Sequence, residues 1–293
     1  MASLQSTALA KINLTLRIVG RRADGYHDIV SLVAFADVGD LLQLVPGERL
    51  DLYVAGPNAA AIGDTNDNLV LLAAHALGQR VNNMKLGRFE LTKHLPIGAG
   101  LGGGSADAAA AFRLLAEANN MRIDDPRILT AAAEIGADVA VCIDQKARVM
   151  SGIGTKLSDP LQLPALPAVI VFPSVPVPTN EMFSIYDELG LESISGNYPD
   201  HPEAHAIPLE RGKFIAFLNT QTNDLARATH SFTPIVAIVE ERLHQTPEVR
   251  LVRMTGSGSS VFAIYDSLEQ AKNAADVIHR DHPDWWVTAT TLR

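Results

Sequence analysis

Residues 96–105 read Pro96-Ile97-Gly98-Ala99-Gly100-Leu101-Gly102-Gly103-Gly104-Ser105, and they join a strand-like alternation at 88–92 to an alanine-rich stretch at 106–118. Five glycines in seven positions leave main-chain N–H groups unshielded and permit positive φ, which a phosphate-cradling turn requires. The helix expected at 106–118 adds the partial positive charge of its N-terminus at the same place. No Gly-Lys-Ser/Thr closes the loop, so the P-loop pattern does not apply. A flexible connector is the plain alternative, but Pro96 and the alanine-rich helix wall the loop on both sides. Ser105 at the helix start suits an N-cap or a ligand to metal or phosphate.

Around this join the periodicities predict a mixed α+β chain. Residues 10–19 read as a half-buried strand ending at Gly20, and 41–45 with 51–55 as a hairpin turning at Pro46-Gly47. Asp67 opens an expected helix to about Gln79, and 127–135 forms another, stopped by Gly136 in a left-handed cap. Pro160, Pro164 and Pro167 punctuate a connection that divides the chain into expected domains at 1–157 and 158–293. A strand follows at 168–172, a long surface loop over 190–209, and strand, helix, strand at 261–265, 267–280 and 286–292. No internal repeat or low-complexity tract is present.

The 293 residues favour two packed domains sharing a cleft over one large domain, and 47% apolar with 19% charged residues describes a globular chain with a full core. A net charge of -9 argues against a nucleic-acid partner, so an anionic ligand must be held locally by main-chain amides and a few cations. The single cysteine, Cys142 in the apolar run 139–143, excludes an intramolecular disulfide and reads as a buried structural thiol in a reducing cytoplasm. No signal peptide, anchor or membrane-length apolar stretch is visible, which predicts a cytoplasmic protein.

The glycine loop resembles the phosphate loop of the kinases named for galactose, homoserine, mevalonate and phosphomevalonate. A second glycine turn, Met254-Thr255-Gly256-Ser257-Gly258-Ser259-Ser260, stands where that family carries one, although alone it reads as an ordinary tight turn. Ala10-Lys11-Ile12-Asn13-Leu14 followed by Gly20-Arg21-Arg22-Ala23-Asp24-Gly25-Tyr26-His27 is similar to the branch acting on a cytidine diphosphate-linked methylerythritol. Asn68-Leu69, Lys93, Gly136-Ala137-Asp138-Val139, Pro178-Thr179, Phe183 and Asn223-Asp224-Leu225 extend the likeness along nearly the whole chain.

The resemblance implies transfer of a phosphoryl group from ATP, with Mg²⁺, to the 2-hydroxyl of that alcohol in the non-mevalonate isoprenoid route. It also implies an N-terminal domain like ribosomal protein S5 domain 2 and a C-terminal ferredoxin-like domain. Asp138 becomes the expected base and Lys11 its charge partner. An aspartate with an ordinary pKa of about 3.9 cannot hold a full alkoxide, but it can orient the hydroxyl and take its proton late in a loose transfer. The nucleotide falls to Asn68, Leu69, Lys93, Pro96, Gly98, Gly100, Leu101, Gly102, Gly103, Gly104 and Ser105. The acceptor falls to Asn13, Tyr26, His27, Asp138, Thr179 and Phe183, with aromatic faces stacking on cytosine and His27 reading its polar edge. As bare residues, Tyr26 and Phe183 read as core, Lys93 as an exposed lysine, and Lys11 with Asp138 as surface charges. Leu9 and Ala106 depart from the family, which often has proline and a second serine there. Metal ligands stay unassigned and a homodimer stays open. Another alcohol kinase of the family and a nucleotide-binding regulator without catalysis remain the alternatives.

Overall fold

The computed structural model describes residues 3–62, 67–190 and 206–293. The chain forms two compact units that interleave in sequence: Met1–Lys11, Val38–Ile97 and Gly102–Gln145 make the first, and Ile12–Asp37, Gly98–Leu101 and Lys146–Arg293 the second. The units therefore do not divide at the expected cut after residue 157. Strands β1 (Leu4–Asn13) and β3 (His27–Gly47) each contribute residues to both units.

In the first unit β3 pairs antiparallel with β5 (Leu86–Thr92), and β4 (Asp51–Ala55) pairs parallel with β5. The expected hairpin is thus corrected. Strands 41–45 and 51–55 flank β5 and do not pair with each other, because β4 returns through the helix α1 (Leu69–Gly78), the kind of crossover a parallel pair demands. Asn68 rather than Asp67 starts α1, its side chain accepting from the Val70 amide. Helix α2 (Gly103–Ala118) begins inside the glycine loop, three residues before the expected start, with Gly102 as N-cap. Ser105 therefore lies within the first helical turn and does not cap it. The helix buries an almost continuous alanine run with Phe112, Leu114 and Leu115, each large side chain worth roughly 1.5–3 kcal/mol of burial. Small side chains let α1 and α3 (Pro126–Ile135) pack closely on it. Gly136 ends α3 with extended φ of 172° rather than in the left-handed region, and the chain passes directly into the short α4 (Val139–Cys142).

In the second unit the stretch 10–19 breaks into the end of β1 and a separate β2 (Arg17–Arg21), because Leu16 turns its backbone to Thr222 and Asp224. Strand β2 pairs antiparallel with the start of β3, which pairs on with β6 (Arg148–Gly152) and, through it, the short β7 (Lys156–Leu157). A proline-rich coil then leads to β8 (Leu166–Phe172). Among the described residues four helices follow, α5 (Thr179–Glu188), α6 (Arg211–Asn219), α7 (Ala226–Phe232) and α8 (Ile235–His244). Next come β9 (Leu251–Met254), β10 (Val261–Ile264), α9 (Leu268–Asp281) and β11 (Trp286–Leu292). The strand order β11-β8-β10-β9, all antiparallel, is the split βαββαβ arrangement of ferredoxin-like domains. Ser267 and Gln270 close a capping box on α9. Most of the loop expected at 190–209 lies outside the described residues.

Candidate active site

Strand β1 delivers Lys11 into the first unit with its side chain almost wholly buried, and its Nζ meets Asp138 Oδ2 at 2.6 Å. The carboxylate occupies the N-cap position of α4 and is 34% exposed, so one partner is fixed and the other is reachable. Gly102, at φ +64°, lies against the lysine stem: a Cβ there would stand 3.1 Å from Lys11 Cβ. The first amides of α2 have no intrahelical partner and Gly102 offers no side chain to cap them. Free N–H groups, an ammonium and a carboxylate thus share one corner. Next to it Cys142 is buried, and burial followed by the Asp138 charge pushes its thiol up to about 12. It is an inert packing group, as the sequence predicts.

Lys93 corrects the picture of an exposed lysine. It is buried between Asp40 Oδ2 at 2.5 Å and Asp107 Oδ2 at 2.6 Å. Desolvation lowers its pKa, but the two carboxylates outweigh that and raise it. Asp107 is raised by burial, partly offset by Lys93, because two acids share one ammonium. Asp40 Oδ1 also accepts the His94 and Leu95 amides, so the triad ties β3, the end of β5 and α2 together. A Cβ on Gly103 would lie 3.3 Å from Lys93 Nζ, and one on Gly104 3.3 Å from Leu69. Lys93 and Leu69 therefore border the loop, with Lys93 beneath it rather than at a free surface, while Asn68 caps α1 one residue before Leu69. Asp40 and Asp107 escaped the sequence analysis, although a lone acid inside an apolar strand or an alanine helix is a usable signal.

In the second unit the two glycine turns touch. A Cβ on Gly100, at φ +75°, would strike the Gly258 carbonyl oxygen at 2.4 Å, and the Ser260 amide donates to the Ala99 carbonyl. Asn223 Nδ2 donates to the Met254 and Gly256 carbonyls, fixing the second turn. Beneath it Arg253 is buried with its guanidinium on the Leu14, Leu218 and Gln221 carbonyls, and burial lowers it to about 10. Asn13 donates from its backbone to Thr255 Oγ1 and from Nδ2 to Ser31 Oγ, which in turn donates to the Thr15 carbonyl. That chain fixes the amide orientation and leaves buried Asn13 Oδ1 as an unpartnered acceptor. Thr179, exposed at the start of α5, shares a hydrogen bond with Ser257 Oγ at 2.9 Å.

His27 and Phe183 stack with ring centroids 4.9 Å apart, and Tyr186 meets the imidazole edge-on. Phe183 also packs on the core of this unit, whereas Tyr26 is 63% exposed and is no core residue. Asp187, which the sequence analysis missed, accepts from His27 Nε2 at 2.8 Å.

Two family patterns match the chain: the GHMP kinases N-terminal domain over residues 68–146 and the GHMP kinases C-terminal pattern over 213–284. A protein of Rhodopseudomonas palustris named 4-diphosphocytidyl-2-C-methyl-D-erythritol kinase is 50% identical over 99% of this chain and 97% of its own length. One of the same name from Bradyrhizobium diazoefficiens is 49% identical over 100% and 99%. The chain belongs to the 4-diphosphocytidyl-2-C-methyl-D-erythritol kinase family of GHMP kinases. A crystal structure of a 4-(cytidine 5'-diphospho)-2C-methyl-D-erythritol kinase superposes with TM-score 0.74 at 29% identity, covering 99% of both chains. A homoserine kinase from Cytophaga hutchinsonii, at 19% identity and TM-score 0.68 over 99% of this chain and 94% of its own, shares the fold. Membership in the GHMP kinases makes the protein an ATP-dependent phosphotransferase.

No group of three or more His, Cys, Asp or Glu suited to a metal occurs among the described residues. Ser105 lies in the first turn of α2, among its uncapped amides. No helix of the described residues is long and apolar enough to cross a membrane.

Proposed function

We propose that the chain phosphorylates the 2-hydroxyl of 4-diphosphocytidyl-2-C-methyl-D-erythritol with ATP, in the cytoplasm, as a step of isoprenoid precursor synthesis. The observation that carries this reading is the Lys11–Asp138 pair laid against the backbone of Gly102. The uncapped amides of α2 and the glycine loop hold the β- and γ-phosphates, bordered by Asn68, Leu69 and Lys93 with its triad. A Mg²⁺ ion would neutralise part of the phosphate charge when bound, and the Ser105 hydroxyl in the first turn of α2 would be the protein's own oxygen for it. Asp138 accepts a hydrogen bond from the acceptor alcohol and orients its oxygen in line with the γ-phosphorus. As the new P–O bond forms and the bond to the β-phosphate oxygen breaks, the hydroxyl proton passes to Asp138 and ADP leaves. Lys11 counters the negative charge on the moving group. No phosphoenzyme intervenes.

The acceptor is held by Asn13 Oδ1, the vacant buried acceptor, by Thr179, and by the rings of Tyr26, Phe183 and His27. Stacking of a base on such rings contributes roughly 1–3 kcal/mol, enough to favour a cytidine-bearing alcohol over a bare one. ADP release with a panel of alcohols tests the reading. Cytidine-linked methylerythritol is expected to turn over at least tenfold faster than free methylerythritol, homoserine or mevalonate. A bare alcohol turned over at least as fast would refute the substrate, and ATP binding without any phosphorylated product would mark a regulator.

A further inference from the structure

We infer that Asp187 sets the base selectivity of the acceptor pocket by fixing which nitrogen of His27 carries the proton, an inference that rests on the proposed cytosine position. Phe183 and Asp187 lie four residues apart on α5, one turn along the same helix face. That single turn therefore supplies both the ring that stacks on the imidazole, at 4.9 Å and 18°, and the carboxylate at Nε2, at 2.8 Å. Tyr186 closes the ring edge at 6.1 Å and 85°. The imidazole is held on face, edge and nitrogen, so its plane and direction are set before any ligand arrives.

A carboxylate can only accept, so Nε2 must carry the hydrogen of a neutral His27. Arg21 approaches the second carboxylate oxygen at 3.4 Å. Nδ1 is left as an acceptor, and it has no hydrogen-bond partner among the described residues. Cytosine offers a 4-amino donor to such an atom, whereas uracil offers a carbonyl oxygen at the same place and would set lone pair against lone pair. A site that hydrogen-bonds a ligand N–H rejects an analogue lacking it far more strongly than an apolar pocket rejects a changed methyl group. Asp187 touches no reacting atom. It is a positioning residue acting through His27.

The test compares native protein with Asp187→Asn, an isosteric change whose amide can either accept from or donate to Nε2. Cytidine- and uridine-diphosphate-linked methylerythritol serve as acceptors, and ¹⁵N NMR of the His27 ring reads the tautomer in the absence of substrate. The native protein is expected to hold the Nε2–H form and to prefer the cytidine compound by about 100-fold or more in kcat/KM. Asp187→Asn should mix the tautomers, raise KM for the cytidine compound with kcat within about twofold, and reduce the preference at least tenfold. Asp187→Glu should restore part of the preference, which a loss of folding would not allow. An Asn variant with an unmoved tautomer and unmoved preference overturns the inference. If instead His27→Ala leaves KM unchanged while the tautomer still depends on Asp187, the cytosine position is what has failed, and the selectivity role falls with it.

Discussion

Two lysines of the first unit meet carboxylates at nearly the same distance and in opposite settings. Lys11 touches Asp138, whose carboxylate is one third exposed, while Lys93 is enclosed by Asp40 and Asp107 with none of the three reachable from solvent. A lysine and an aspartate 2.6 Å apart can therefore serve either chemistry or scaffold, and access decides which. An exposed oxygen can receive an alcohol proton. A buried acid paired to a buried ammonium holds a helix to a strand, and removing that partner leaves a charge that water cannot reach.

The largest way to break this contrast is Lys93→Met. It strands two buried acids and should lower unfolding stability by about 3–5 kcal/mol, read from the urea midpoint at constant slope. Lys11→Met should do the reverse, cutting kcat about 10²–10³-fold while the urea midpoint stays close to native, because Asp138 can hydrate. If both variants lose stability equally, the contrast is wrong.

A smaller effect concerns pH. Asp107 is raised in the folded protein, so the folded state keeps its proton to higher pH than the unfolded chain does. Its contribution to stability is full below the unfolded carboxyl pKa of about 4 and is lost as pH rises through the folded value of about 7. Thermal melts from pH 4 to 8 on native protein and Asp107→Asn should show a shallower decline in the variant, and parallel curves would contradict the assignment. The smallest expected effect is at Cys142. With its thiol raised to about 12 it should resist alkylation by iodoacetamide in the native protein, and rapid labelling would show that the pocket beside Asp138 is open.

The difference between the two lysines also marks what the sequence makes legible. The glycine loop, Lys11 and Asp138 stand in short local patterns whose chemistry can be read directly. Asp40 lies 53 residues from Lys93, and Asp187 lies 160 from His27, so each depends on a pairing that no local window contains. The insertion of β5 between β3 and β4 is non-local in the same way, and the hairpin reading failed there because Pro46-Gly47 is a sound turn signal with the wrong partner strand. Helix α2 began early because glycine at φ +64° lets the chain enter the helix inside the loop, where propensity alone argues against it. The helices α5 to α8 escape the sequence analysis because none exceeds ten residues and part of their stretch is rich in Pro, Ser and His.

Substitution Asp138→Asn, assayed for single-turnover phosphoryl transfer alongside ATP binding, bears most directly on the proposed catalytic role of Asp138 and Lys11. The amide keeps the shape and cannot take the proton, so the transfer rate should fall by two to four orders of magnitude with ATP affinity within about twofold of native. A variant that transfers phosphate at near-native rate would show that the proton goes elsewhere and that the exposed carboxylate is not the base.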